Sequence, residues 1–71
     1  MTILQMIPVS SSNLAAVGYE NGILHVRFNS GALYQYTGVP ASIYQNLMNA
    51  ASHGSYFAAH IRNVYPYRRI G

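Results

Sequence analysis

The dipeptide Asn21-Gly22 constrains the fold of this chain more than any other short feature. A two-residue hairpin turn of type I′ needs positive φ at both central positions, and Asn-Gly is a pair that adopts it readily. The flanking residues 14–20 and 23–28 have the composition and alternation of half-buried strands. The sequence therefore predicts an antiparallel hairpin over these two segments.

A second turn signal, at residues 29–31, leads into a third predicted strand over residues 32–37. A three-residue loop with Gly31 left-handed turns Tyr34 and Tyr36 toward the apolar face of the hairpin, whereas a two-residue turn flips the whole strand. We favour the longer loop because it keeps the apolar residues of all three strands together. The predicted apolar face contains Ala15, Val17, Tyr19, Leu24, Val26, Phe28, Tyr34 and Tyr36.

Two helices are predicted after the sheet, over residues 40–51 and 55–63. Pro40 suits the first position of a helix, Gly54 suits a helix end, and Ser55 is a good N-cap. A short extended tail follows Pro66. The fold class is therefore α+β, with a three-stranded antiparallel meander followed by two helices.

The domain prediction is a single unit over residues 9–71. Residues 1–8 are interpreted as an apolar arm or an edge strand. The chain of 71 residues is 51 % hydrophobic but only 7 % charged, against a usual charged share of about 25 %. So apolar a surface predicts a homo-oligomer, in which identical subunits cover each other's apolar patches.

The charge inventory predicts an anionic partner and argues against most enzymes. The net charge is +3, from four arginines and one acid, Glu20, with no lysine, aspartate or cysteine. Paired carboxylates, a Ser-His-Asp triad and a lysine-containing phosphate loop are thus missing. We expect a protein that is not an enzyme, with no cofactor and no metal. A metal-independent phosphodiesterase using His25 or His60 is the remaining enzymatic alternative.

The sequence also bears on membrane association and on the cell compartment. No apolar stretch approaches the ~20 residues of a membrane span, and the N-terminus lacks the basic residues of a signal peptide. We therefore expect a cytoplasmic protein without a membrane partner.

The strongest candidates for ligand binding are the tyrosines of the third strand. Tyr34 and Tyr36 lie two residues apart on one side of the strand, so their rings stand roughly 6.5–7 Å apart. A planar ligand could fit between them, or the rings could belong to the core with their hydroxyls at a rim between sheet and helices. We favour the core. The opposite face carries His25 and Arg27, with room for a flat ligand or a second subunit.

A second group of candidates lies toward the C-terminus, where tyrosines alternate with arginines. Aromatic and guanidinium groups together suit stacking on bases and contact with phosphates. The alternative is structural: Tyr56 would close the core and Arg62 would pair with Glu20. The candidates in this group are Tyr56, Arg62, Tyr65, Arg68 and Arg69.

An ordered set of short motifs resembles the KTSC domain family over nearly the whole chain. The set comprises Val9-Ser10-Ser11-Ser12-Asn13-Leu14, Gly18-Tyr19-Glu20, Leu24-x-Val26-x-Phe28, Gly31-x-x-Tyr34-x-Tyr36, Val39-Pro40, Ala51-Ser52-x-Gly54-x-Tyr56-Phe57 and Ile61-Arg62-x-x-Tyr65. This family is similar to the C-terminal extension of some lysyl-tRNA synthetases and includes small stand-alone bacterial and phage proteins. The resemblance implies RNA binding, with Tyr-x-Tyr as the signature. The chain departs from the pattern at Glu20, at Ala58 and in its few basic residues.

Taken with the composition, these motifs lead to a hypothesis about function. We expect a binding module for an anionic nucleotide ligand, contacted by arginine at phosphate and by tyrosine at the base. The ligand is either a small nucleotide held in a homo-oligomer, as in a phage sponge for a nucleotide immune signal, or RNA. Few charges and high apolarity favour the small nucleotide. The alternative is a protein–protein interaction module, with a host protein as its partner.

Overall fold

The computed structural model describes residues 5–71 as a five-stranded sheet and two helices. The strands lie in chain order across the sheet, and each is antiparallel to its neighbours. The elements are β1 (Ile7–Pro8), β2 (Leu14–Glu20), β3 (Ile23–Phe28), β4 (Leu33–Tyr36), α1 (Ala41–Asn49), α2 (His53–His60) and β5 (Tyr67–Arg69). The α+β prediction is confirmed, with one short strand added at each edge of the predicted meander.

Both turns of the meander have the predicted geometry. Asn21 and Gly22 have φ of 53° and 78°, as a type I′ turn requires. Gly31 has φ of 97°, and the Phe28 N–H donates to the Ala32 carbonyl at 2.9 Å. The three-residue loop is therefore confirmed.

The register of β3 and β4 follows from that loop. Val26 lies opposite Tyr34, and Leu24 lies opposite Tyr36. One position on β2 differs from the prediction, because a bulge at Ala15 inserts an extra residue opposite β3. Leu14 consequently pairs with Phe28 and is fully buried, in the place predicted for Ala15.

The two edge strands lie in the segments whose predicted structure was least specific. Ile7 and Pro8 pair with β2, which supports the edge-strand interpretation for that part of residues 1–8; residues 1–4 lie outside the described residues. Proline is tolerated there because an edge strand can do without one N–H. The predicted extended tail is β5, which pairs with β4 through residues 67–69.

The helices begin and end at different residues from those predicted. Pro40 is the N-cap of α1 in extended conformation, with φ −66° and ψ 151°, so α1 begins one residue later. Ser52, not Ser55, caps α2: its hydroxyl oxygen accepts from the Ser55 N–H at 3.3 Å. Gly54 does not end α1 but lies buried in the first turn of α2.

The junction between the helices is held by His53. Its Nδ1 lies 2.8 Å from the Leu47 carbonyl oxygen. Because a carbonyl only accepts, Nδ1 carries the proton and satisfies an end group of α1. His53 thus contacts the C-terminal end of α1 although the residue itself begins α2.

Both helices pack on the same face of the sheet and enclose the core. This face, which we call the packed face, also carries Tyr34, while the opposite face carries His25, Arg27 and Gln35. No helix within residues 5–71 is long and apolar enough to cross a membrane. The buried hydrophobic residues are Leu14, Val17, Leu24, Val26, Tyr36, Val39, Leu47, Phe57 and Ile61.

Candidate functional site

A groove of about 600 Å³ opens on the packed face, between the sheet and the end of α2. Its floor is aromatic and its rim is polar. The volume is within the range of about 300–1,000 Å³ that is usual for small-molecule sites. The lining residues are Ser12, Asn13, Phe28, Asn29, Ser30, Ala32, Tyr34, Tyr36, Phe57, Ala58, Arg62, Asn63 and Tyr67.

Three tyrosines form one wall of the groove. The ring centroids of Tyr34 and Tyr36 are 6.5 Å apart with an angle of 22° between the planes, at the spacing predicted from the strand. Tyr67, opposite Tyr36 on β5, lies 5.6 Å from both rings. Exposure increases along this row, from 4 % at Tyr36 to 60 % at Tyr67. The row therefore connects the core to solvent.

The rings at the floor of the groove pack edge to face. Phe57 on α2 contacts Phe28 and Tyr36 at centroid distances of 5.6 and 5.3 Å, with interplanar angles of 74° and 83°. Phe28 also packs at 88° against Tyr34. Edge-to-face pairs are a favoured aromatic arrangement. Tyr36 belongs to the core, as predicted, and Tyr34 and Tyr36 both line the groove as well.

The hydroxyl of Tyr36 is available to a ligand. This hydroxyl makes no hydrogen bond within residues 5–71. Every buried side-chain polar atom in that part of the chain has a partner, so the Tyr36 hydroxyl oxygen is not buried. We infer that it is open to the groove that Tyr36 lines. Burial, with smaller contributions from Tyr34 and Tyr67, raises the pKa of Tyr36 to about 12, and nearby Arg62 opposes the rise. At neutral pH this hydroxyl keeps its proton and can donate it to an acceptor.

Arg62 reaches the groove because α2 ends just before it. Ile61 is fully buried, and the N–H groups of Ile61 and Arg62 both donate to the Phe57 carbonyl, at 3.0 and 2.9 Å. Asn63 follows with a left-handed φ of 65°. This turn anchors the backbone and leaves the exposed Arg62 side chain at the groove. The ion pair with Glu20 considered above is replaced by this position near Tyr36.

The opposite wall is a loop held by hydrogen bonds. Asn29 Nδ2 donates to the carbonyls of Ser11 and Ser12 at 3.2 and 2.9 Å. The Ser11 hydroxyl oxygen accepts from the backbone N–H groups of Asn13 and Leu14. These hydrogen bonds join the serine-rich segment to the loop at Asn29, and together they form this wall.

The remaining candidates lie elsewhere. His25 and Arg68 both align with Gln35 on the opposite face of the sheet, and Arg27 there donates to the Gly31 carbonyl at 3.0 Å. Burial lowers the pKa of His25, partly offset by Glu20.

The last three sequence candidates are Tyr56, Tyr65 and Arg69. The rings of Tyr56 and His60 are tilted by 34° with centroids 4.4 Å apart, and Tyr56 and Tyr65 pack against the core. Arg69 lies opposite Tyr34 and so shares the packed face, outside the groove lining. The structure therefore brings Tyr34, Tyr36 and Arg62 together.

Several groove residues were absent from the sequence candidates, chiefly Phe28, Asn29, Asn63 and Tyr67. Tyr67 belongs to the groove only because β5 pairs with β4, which local patterns do not reveal. The sequence indicates an extended tail after Pro66 but not the strand with which this tail pairs. No group of metal-ligating residues is found within residues 5–71.

Comparison with known proteins assigns the family. The family model of the KTSC domain matches residues 10–65. The chain is 39 % identical to a crystal structure of a KTSC domain protein from Yersinia pestis, with a TM-score of 0.93, covering 97 % of this chain and 100 % of that one. It is 43 % identical over 56 residues to an uncharacterized protein of Stutzerimonas stutzeri, covering 76 % of this chain and 79 % of the relative.

A longer relative is a lysine–tRNA ligase of Nostoc sp., 36 % identical over 67 residues. The match covers 92 % of this chain but 12 % of the ligase. The resemblance drawn from the sequence motifs is confirmed, and the chain belongs to the KTSC domain family.

Proposed function

We propose that this chain is a non-enzymatic binding module for an anionic nucleotide ligand, held in the groove on the packed face. The observation that carries the proposal is the meeting of three tyrosines with Arg62 around a space of about 600 Å³. A base would pack against the exposed ring of Tyr67 and the partly buried ring of Tyr34. Its phosphate would accept hydrogen bonds from Arg62 and the Tyr36 hydroxyl. Stacking on an aromatic ring stabilises a base by about 1–3 kcal/mol.

A small nucleotide suits this surface better than a long RNA strand. Arg62 lines the groove and Arg69 shares its face, whereas Arg27 and Arg68 lie on the other face of the sheet. Two arginines per face are far fewer than the roughly 6–10 phosphate contacts that tight binders of duplex nucleic acid make. RNA binding is therefore the second form of the proposal. We place either form in the cytoplasm, where both ligands occur.

We also propose a homo-oligomer. Exposed apolar side chains occur along the segment that follows α2, at Val64, Tyr67 and Ile70, which are 58, 60 and 45 % exposed. A second copy covering this surface would shield it and enclose a ligand in the adjoining groove. Light scattering coupled to gel filtration measures the subunit number directly, and a monomer at all concentrations would contradict this part.

The first experiment examines the purified protein for a bound ligand. The chain has seven tyrosines and no tryptophan, so a bound nucleotide should raise its 260/280 nm absorbance ratio visibly. Denaturation, filtration and mass spectrometry then separate a single nucleotide from heterogeneous RNA. The released species is titrated back into ligand-free protein by calorimetry.

A matched pair of variants locates the site. Ala58 lines the groove and Ala59 does not, although both are exposed on α2. Ala58→Trp should fill the groove and abolish binding, while Ala59→Trp should bind like the parent. Equal affinities for the two variants would move the ligand out of the groove.

The competing function is a protein–protein interaction module, for which the same exposed apolar surface is the supporting observation. Salt separates the two. Phosphate contacts weaken steeply as salt rises, whereas apolar contacts persist or strengthen. A protein that releases no nucleotide and binds a host protein equally well in high salt would favour this alternative.

A further inference from the structure

The groove offers a single positive charge. Of the lining residues within 5–71, Arg62 is the only charged one, and neither histidine nor carboxylate from this part of the chain lines the groove. Arg69 lies nearby on the same face, but its Nε donates to the Gly71 carbonyl at 3.0 Å. A ligand in the groove would therefore meet one guanidinium and otherwise neutral groups.

The neutral groups around Arg62 include hydroxyl donors. The Tyr36 hydroxyl is open to the groove, and Tyr34 and Tyr67 stand beside it. A pKa of about 12 keeps Tyr36 uncharged at neutral pH. Such donors can hold one phosphate oxygen, but they cannot neutralise a second negative charge.

The loop wall presents an acceptor in addition. Both donor positions of Asn29 are directed at the carbonyls of Ser11 and Ser12, so its Oδ1 is the atom left for a ligand. An acceptor repels phosphate and suits the exocyclic amine of a base. Anion recognition is thereby confined to the side of the groove at Arg62.

We infer that the ligand is a nucleoside phosphodiester carrying one negative charge per phosphate, such as a cyclic nucleotide or a dinucleoside monophosphate. This inference rests on the proposed function and narrows its ligand class. A phosphodiester has a charge of −1, which one arginine balances. A terminal phosphate has a charge of about −1.5 to −2 at pH 7, and a polyphosphate has more. The excess charge would lie against aromatic rings with no second cation in the lining.

The test is a calorimetric titration of ligand-free protein with matched probes. The probes are the 3′,5′-cyclic monophosphates of all four nucleosides, the corresponding 5′-monophosphates, ATP, and the dinucleotide ApA. At pH 8 the best diester should bind about tenfold more tightly than the monoester with the same base. ATP should bind more weakly still.

Lowering the pH provides an internal check. A phosphomonoester dianion takes up one proton near pH 6 and becomes a monoanion, so AMP should gain affinity, by up to about tenfold, between pH 8 and pH 5.5. Cyclic AMP measured at each pH corrects for pH-dependent changes in the protein. Arg62→Gln should remove the preference for diesters over uncharged nucleosides, while Arg68→Gln, on the other face, should leave it unchanged.

The outcomes separate this inference from the proposed function. Tighter binding of cyclic AMP or of ApA supports the inference and distinguishes a cyclic from an internal diester. Monoesters or ATP binding as tightly as diesters, with Ala58→Trp abolishing both, overturns the inference while the nucleotide site stands. No binding by any probe or by RNA overturns both.

Discussion

Tyr36 and Tyr67 are cross-strand partners on β4 and β5, and their ring centroids lie 5.6 Å apart across the groove wall. One ring is almost fully buried and the other is 60 % exposed. The pair therefore joins the hydrophobic core to the ligand surface. It also makes the last strand part of the site, because Tyr67 reaches the groove only when β5 is paired.

The gradient of burial predicts different stabilities for two adjacent variants. Tyr36→Ala should lower the free energy of unfolding by about 3–5 kcal/mol, as for other buried aromatic residues. Tyr34→Ala should lower it by about 2 kcal/mol, because this ring is only partly buried. Urea denaturation measures both. A larger loss for Tyr34→Ala would contradict the burial order of the two rings.

The variant Tyr36→Phe separates the contribution of the hydroxyl from that of the ring. The Tyr36 hydroxyl has no partner within residues 5–71, so Tyr36→Phe should change the free energy of unfolding by less than about 1 kcal/mol. Its nucleotide affinity should nevertheless fall, because a donor to the phosphate is lost. A variant that binds like the parent would remove this hydroxyl from the site.

The two consecutive arginines of β5 should behave differently. Adjacent residues of a strand point to opposite faces, and Arg69 shares the face of Tyr34 while Arg68 aligns with Gln35. Arg69→Gln should weaken nucleotide binding about two- to fivefold at about 50 mM salt and less at about 200 mM. Arg68→Gln is the matched control and should bind like the parent. Equal losses from the two variants would contradict the assignment of the site to the packed face.

The part of the fold that the sequence predicts well is the part governed by local rules. Asn21-Gly22 and Gly31 need particular backbone angles, and those angles determine which residues of β3 and β4 face each other. The bulge at Ala15 and the pairing of β5 depend on contacts distant in the chain. Neither has a local signature.

The same distinction applies to the candidate site. Tyr34 and Tyr36 follow from strand periodicity, and Arg62 from its place after the second helix. Tyr67 and Asn29 enter the groove through long-range pairing and packing. The nine sequence candidates consequently divide between the two faces of the sheet and the core.

At Gly54, helix propensity and local packing predict opposite effects of alanine on the free energy of unfolding. Alanine is about 1 kcal/mol better than glycine within a helix, so propensity alone predicts that Gly54→Ala stabilises the protein. A Cβ at this position would lie 3.0 Å from the Ser11 hydroxyl oxygen. That oxygen is fixed by the N–H groups of Asn13 and Leu14, at 3.2 and 3.3 Å.

We therefore expect Gly54→Ala to lower the free energy of unfolding by about 1 kcal/mol, because the loop must move away from the helix. The control is the same substitution in a Ser11→Ala background, where the close oxygen is absent and the added methyl group should cost less. If the Gly54→Ala single variant were more stable than the parent, the loop at Ser11 would move away from the helix at little cost in free energy.

Alkaline pH should destabilise the fold through Tyr36. Its pKa is raised from 10.0 to about 12 in the folded protein, first by burial and then by Tyr34 and Tyr67. Between these two pH values the unfolded chain has lost this proton while the folded chain retains it, so the free energy of unfolding must fall as pH rises. Below pH 10 the contribution is fully present.

The measurement compares thermal unfolding of the parent and of Tyr36→Phe in steps from pH 8 to pH 12. The parent should lose stability more steeply than the variant above pH 10, because phenylalanine has no proton to lose. Absorbance at 295 nm, which reports tyrosinate, should show one tyrosine fewer titrating late in the folded variant. Parallel stability curves would mean that Tyr36 ionises as readily in the fold as in the unfolded chain, and that its hydroxyl is more open to water than its buried ring implies.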